Sequence, residues 1–327
     1  MRRTPSRIGA FAAAVVLLML TGPIVPRGVV AQTLPTLRVT GPNIDDFKPV
    51  YYAIRSGLFA RYGINVEVLP SKSGSAGLAS VAGGSADIGF TSLPAVIEAH
   101  ARGLPFQAIA PAALYLSESP TTVLFVRKDS PIRSARDLNG KVIGVSSLQD
   151  MIAMATFAWI DRNGGDSRTL HPLELPNSAL LAAIEEGRVD AGTLIEPFLH
   201  QGMASGKIRI LGKNLDAIGK RFQLNVYVAT DTYIRSHRDT VERFERALHE
   251  AILYTDAHLP ETVDLVASFT HLNPDVVAHS ARAIDPEYLE PENIQPVIDV
   301  AARYRLIPKA FPASEIMSDA ALRPSTR

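Results

Sequence analysis

From Leu37 onward, short apolar runs alternate with amphipathic ones, and each apolar run gives way to a loop rich in hydroxyls, amides or glycine. Leu37–Thr40 reads as a strand and is followed by the loop Gly41–Asp46. Phe47, Val50, Tyr51, Ile54 and Leu58 then mark one helix face. Ile64–Leu69 is a second strand, Ser71–Ser75 a second loop, and a short helix follows around Leu78 and Val81. Ile88–Phe90 is a third strand. Thr91-Ser92 comes next, then a helix carrying Leu93, Val96, Ile97, His100 and Ala101 at i, i+3, i+4, i+7 and i+8. Pro94 suits a first helical turn, where its missing N–H is no loss, so Thr91 or Ser92 is the expected N-cap. Strand, loop and helix in this order describe a doubly wound α/β sheet. In such sheets ligands bind beyond the carboxyl ends of the strands. The loops Asn43–Phe47, Ser73–Ser75 and Thr91–Ser92 are therefore expected at one edge.

Gln107–Ala112 and Thr121–Val126 read as further strands, the latter ending at the turn Arg127–Pro131. From there a second α/β unit follows the same pattern, with Asp137–Lys141 as a turn into the strand Val142–Val145 and Ser146-Ser147 at its end. A helix is expected from about Gln149 to Arg162, with Ile152, Ala155 and Trp159 on one face. Leu173–Leu175, Val189–Ile195 and Ile208–Leu211 are further strands. Asn177 is placed to cap the helix of Leu180, Leu181 and Ile184, and Glu196-Pro197 to start another. Asn225–Thr230 is a strand expected to return to the first unit. Beyond Asp231 the pattern is almost purely helical.

The first residues resemble an export signal. Arg2, Arg3 and Arg7 precede an apolar run from Ile8 to Leu20, and Val29-Val30-Ala31 offers small residues for cleavage after Ala31. That run is shorter than the roughly 20 residues that span a bilayer. A periplasmic mature protein is expected. The sequence of 327 residues has 33 basic and 33 acidic side chains, which argues against a nucleic-acid binder needing a basic face. It has no cysteine, which removes disulfides, zinc–thiolate sites and thiol catalysis.

Four stretches in order resemble one family, the nitrate/sulfonate/taurine-type and thiamine-precursor-type (SsuA/THI5-like) substrate-binding proteins of ABC importers. Gly57-Leu58-Phe59 with Gly63–Glu67 is similar to its helix-to-strand turn. Gly84–Ala95 with Gly103-Leu104-Pro105 is similar to its strand and GLP turn. Ile132–Val145 looks like the entry to its second lobe, and Gly187–Ala191 with Glu196-Pro197-Phe198 like its VDA…EPF stretch. The resemblance runs from about Leu37 to Pro312. It implies an α/β fold, a two-lobe periplasmic binding protein (type II clamshell) with a mixed sheet flanked by helices in each lobe and two crossover hinge segments. Its parts would be a signal peptide at 1–31, lobe 1 at 34–125 and 226–312, lobe 2 at 126–225, and a tail at 313–327. It also implies a ligand in the interlobe cleft, a membrane permease and a cytoplasmic ATPase as partners, and a monomer.

By position, lobe 1 should offer Asn43, Asp45, Phe47, Ser73, Gly74, Ser75, Thr91 and Ser92 to a ligand, and lobe 2 Ser146, Ser147, Asn177 and Glu196. Hydroxyls and helix N-termini suit an oxyanion, so an alkanesulfonate or taurine-like solute is the first expectation, with Thr91-Ser92 facing Ser146-Ser147. Asp45 and Glu196 complicate it, because a carboxylate 4 Å from an anion costs about 4 kcal/mol at an effective dielectric of 20. An aminopyrimidine or other nitrogen heterocycle would meet them better. A ligand-sensing subunit for a membrane receptor is the third reading. Tyr51, Tyr52 and Trp159 are expected in the core. No nucleophile-elbow, P-loop or dinucleotide motif occurs, and the histidines form no metal-ligand spacing. No enzyme activity, cofactor or metal is expected. The cysteine-rich motif of the family's pyrimidine-forming arm cannot exist here.

Overall fold

The computed structural model describes residues 34–324 except 72, 73, 147, 149 and 197, and only the backbone at 74, 75, 177 and 178. The expected signal segment lies outside the described residues, and no described helix is long and apolar enough to cross a membrane. Among the described residues, twelve strands are β1 (Thr36–Gly41), β2 (Asn65–Pro70), β3 (Ile88–Ser92), β4 (Phe106–Pro111), β5 (Leu114–Leu116), β6 (Thr122–Arg127), β7 (Val142–Val145), β8 (His171–Glu174), β9 (Ala191–Ile195), β10 (Ile208–Gly212), β11 (Arg221–Gln223) and β12 (Asn225–Thr230).

Ten of them form two five-stranded sheets, in the orders β2-β1-β3-β12-β4 and β10-β6-β9-β7-β8. Both are mixed. β1 runs parallel to β2 and β3, whereas β12 is antiparallel to β3 and β4. In the second sheet β7 is parallel to β8 and β9, and β6 is antiparallel to β9 and β10. β12 does return to the first sheet. Residues 122–125, grouped above with the first lobe, belong to β6 and hence to the second sheet.

The chain leaves the first sheet through β5 and comes back through β11, and these two strands pair antiparallel with Tyr115 opposite Phe222. Sequence pattern did not reveal this pair, because each strand is only three residues long. Gln223 holds the crossing together. Fully buried, it donates from Nε2 to the carbonyls of Ala112 (2.6 Å), Ala113 (3.3 Å) and Asn225 (2.7 Å). Gln223→Leu would leave these buried carbonyls without that donor. It should cost about 2–3 kcal/mol in urea unfolding; a loss below about 0.5 kcal/mol would show that the crossing does not depend on it.

The elements follow from local chemistry. The helix Leu93–Ala101 starts directly from β3, with Pro94 in its first turn and Leu93, Val96 and Ile97 fully buried. The helix Met151–Arg162 is capped by Asp150, whose side chain accepts from Ala153 N–H at 2.8 Å. A Cβ on Gly212 would lie 2.2 Å from the Trp159 indole, so glycine lets the end of β10 pass that ring. The helix Arg238–Ala257 lays Phe244, Leu248 and Ile252 into the core beneath the first sheet. Another core joins residues following both sheets: Leu93 and Val96, Met154 and Ala155, and Ile294 and Ile298 of the helix Pro291–Arg303. The segment expected as a polar tail is partly packed. Ile316 is fully buried, Met317 bridges to Ala108, and Ser318 N–H donates to Ala108 C=O at 2.8 Å.

Candidate functional site

A cavity of about 1000 Å³ opens where the carboxyl ends of β1, β3 and β9 face the start of β6 and β12. Much of the wall is apolar, with Leu78, Pro94 and Leu104 on the first-sheet side and Met151, Ile195 and Phe198 on the second. Residues 280–283, from the connection before the last long helix, complete it.

Of the residues expected to bind, Asn43, Asp45, Ser92 and Glu196 lie on this wall. Asn43 Oδ1 accepts from the Tyr51 hydroxyl at 2.8 Å. Ser92 occupies the N-cap position of its helix but makes no capping bond through its side chain. Glu196 accepts from His200 N–H at 3.0 Å, which caps the helix Phe198–Ala204. Burial nevertheless pushes its carboxyl up, against the pull of the His200 and Ala281 N–H groups.

Phe47 and Thr91 are corrections. Both are fully buried. Phe47 lies under the end of β1, where a Cβ on Gly41 would come within 2.5 Å of its ring, and packs edge-on against Phe90. Thr91 lies within β3 itself rather than in a loop, so strand alternation turns it away from the side chain of Ser92. Its Oγ1 is buried without a hydrogen-bond partner. Ser146 is also placed differently: its hydroxyl donates to Asp150 at 2.6 Å, supporting the cap instead of the wall. Thr91 and Ser146 therefore do not face each other across the cavity. Ser73 and Ser147 lie outside the described residues. Gly74 and Ser75 open the helix Gly74–Ala82, and Asn177 opens Asn177–Glu185 with Pro176, not Asn177, at the N-cap position. The side chains of Ser75 and Asn177 are outside the description.

Sequence reasoning missed Asp46, Asp150, Asn225 and Arg282, all on the wall. Asp46 accepts from Asn225 Nδ2 at 2.8 Å. Burial, and then the neighbouring Asp45, push its carboxyl up to about 6, with Lys48 opposing. Asp150 is pushed up by burial as well. Arg282 grips Asp45 through Nη2 at 2.7 Å and Nε at 3.1 Å, and the Ala283 N–H adds a bond at 2.7 Å. The other wall arginine, Arg102, pairs with Glu98 at 3.0 Å. Among the described wall residues, then, each arginine already has a carboxylate partner. Among the described residues, Asp46, Asp150 and Glu196 have no cationic partner at hydrogen-bond distance. Asp46 sits beside a residue the loop argument had singled out; Arg282 has no local signal, since 237 residues separate it from Asp45. Among the described residues no group of three histidines or carboxylates could hold a metal ion.

A family profile described as NMT1/THI5 like matches residues 44–262. A 4-amino-5-hydroxymethyl-2-methylpyrimidine phosphate synthase of Schizosaccharomyces pombe (strain 972) is 26% identical over 218 residues, 63% of this chain and 60% of the synthase, so the match leaves two fifths of that relative unspanned. A protein of Escherichia coli (strain K12) named for binding aliphatic sulfonates is 24% identical over 239 residues, 69% of this chain and 70% of its own. Among solved structures, the periplasmic aliphatic sulphonate binding protein SsuA of Escherichia coli superposes with a TM-score of 0.74 at 19% identity, covering 89% of this chain and 94% of SsuA. That likeness establishes the periplasmic-binding-protein fold.

Proposed function

Because the chain belongs to the NMT1/THI5-like family, we propose that it is the exported solute-binding component of an ABC importer. It captures a small organic solute bearing nitrogen donors, of the aminopyrimidine kind, between its two sheets. The observation that carries the ligand class is the charge balance of the wall: carboxylates at Asp46, Asp150 and Glu196, and arginines already committed to Asp45 and Glu98. Such a wall accepts hydrogen bonds. A sulfonate would bring three more acceptors and a full negative charge to it, while an amine or amidine edge fills acceptors that are otherwise desolvated.

The binding mechanism follows from the same parts. Apolar side chains such as Leu78, Met151, Ile195 and Phe198 take the body of the solute, at roughly 25 cal/mol per Å² removed from water. The polar head meets the carboxylates, whose hydrogen bonds to a charged partner are worth about 1.5–3 kcal/mol each. The paired strands β5 and β11 are the crossing about which the two sheets would close. The permease and ATPase would then receive a closed monomer. The synthase relative suggests a catalytic alternative, which the lack of cysteine in this chain disfavours.

An alkanesulfonate is the second reading. It is favoured by the sulfonate-binding relative and by Ser92, an uncapped hydroxyl on the wall where the helix Leu93–Ala101 begins. Thermal melting separates the two. A ligand at 100 times its Kd adds about 2.7 kcal/mol, which should raise the midpoint by roughly 5 °C or more. The expected result is a rise with 4-aminopyrimidines and none with ethanesulfonate or taurine. A rise with the sulfonates alone would transfer the assignment to the second reading.

A further inference from the structure

Two aspartates stand side by side at the cavity, and they do different work. Asp45, Asp46 and Phe47 form one 3-10 turn. With three residues per turn, successive side chains leave about 120° apart. Phe47 goes down into the core. Asp45 goes back to residues 282 and 283, where the Arg282 guanidinium and the Ala283 N–H occupy both its oxygens. Asp46 goes toward Asn225, the first residue of β12.

Asn225 pairs in register with Ser92. The ends of three chain segments thus bring Asp46, Asn225 and Ser92 together, and all three line the cavity. Asn225 spends a side-chain N–H on Asp46, which turns its Oδ1 away from that carboxylate as a second acceptor. Asp46 is half-buried and receives this one side-chain bond, so it keeps acceptor capacity that Asp45 has exhausted.

We propose that Asp46, oriented by Asn225, is the residue that selects the polar head of the solute, and that Asp45 is a strut for the wall behind it. The chemistry it selects is a pair of neighbouring N–H donors or a protonated nitrogen, with Ser92 free to donate or accept beside it. The burial that raises the Asp46 carboxyl adds to the discrimination, because a donor-rich head relieves it and an anion aggravates it. This inference rests on the solute-binding reading above.

Calorimetric titration of the exported protein with 4-amino-2-methylpyrimidine and with ethanesulfonate tests it. Asp46→Asn keeps an oxygen for the Asn225 amide and should fold. It should weaken aminopyrimidine binding by about 10–100-fold, the worth of a hydrogen bond to a charged group. Asp45→Asn should lower the melting temperature yet leave aminopyrimidine affinity within about threefold, since its partners hold the wall and not the nitrogen head, while the Arg282 guanidinium it releases can only favour ethanesulfonate. An unchanged ratio of the two affinities in Asp46→Asn overturns the inference while the nitrogen reading stands. If the native protein prefers ethanesulfonate, the nitrogen reading falls. The role of Asp46 then survives only if Asp46→Asn strengthens ethanesulfonate binding. Binding of neither probe overturns both.

Discussion

Replacing Lys48 by methionine should cost about 3–5 kcal/mol, one of the two largest single-residue effects expected in this protein. The Lys48 side chain has no exposed surface. Its ammonium donates to Ala283 C=O at 2.7 Å and Asp285 at 2.9 Å, and lies 3.1 Å from Asp256. A buried ion pair against an apolar substitute for both partners is close to neutral, but removing one partner strands the other. Here two carboxylates are stranded, one of them Asp285 with 1% of its side chain exposed.

The pH dependence carries the signature. Even beside the lysine, burial pushes the Asp285 carboxyl up to about 7 from an ordinary 3.8. A raised carboxyl is protonated in the fold and ionised in the unfolded chain, so stability falls as pH rises between those two values. Without Lys48 the folded value climbs further, and the fall extends to higher pH. The gap between native and Lys48→Met melting temperatures should therefore be small near pH 5 and widest above pH 7. A gap that does not change with pH would show that lost packing, and not stranded charge, dominates. The same cluster matters to the site, because residues 283 and 285 are pinned by Lys48 while 282 and 283 are pinned by Asp45.

Glu245→Gln should do the opposite and stabilise the protein by about 4 kcal/mol at pH 7.5. Glu245 is 3% exposed on the buried face of the helix Arg238–Ala257, and its Oε1 has no hydrogen-bond partner. Burial pushes its carboxyl up to about 9, with the Leu322 N–H and the nearby Arg238 and Arg246 pulling down and Glu242 pushing up. The unfolded chain releases this proton from pH 4.5 upward and the fold keeps it, so about 1.4 kcal/mol is lost per pH unit across that window. Glutamine needs no proton. Unfolding midpoints of the native protein and Glu245→Gln should coincide near pH 4.5 and diverge steadily to pH 9. Parallel curves over that range would rule out a neutral, buried Glu245.

Much of the fold was legible in local pattern. β7 and β12 begin and end where alternation and loop chemistry placed them, and the strand-helix order held through both sheets. The site was legible only by address. Loops at strand ends located Asn43, Asp45, Ser92 and Glu196, but not which side chains enter the cavity. Thr91 and Ser92 show why: in a strand, neighbours face opposite sides, so moving the loop boundary by one residue exchanges wall for core. Within the 3-10 turn the same ambiguity recurs three ways: Phe47 gave up the cavity, and Asp45 lines it with its oxygens taken by Arg282 and Ala283, leaving Asp46 open.

What the sequence by itself determined is therefore the set of elements and the edge at which they meet. Period, turn residues and capping act over a few positions, and that range suffices to build strand, loop and helix. What only the tertiary structure decided is the charge of the cavity. Arg282 neutralises Asp45 from 237 residues away, and Asn225 reaches Asp46 across 179. Electrostatic pairing depends on distance in space and on the water removed by packing, and neither is encoded in the spacing of residues along the chain.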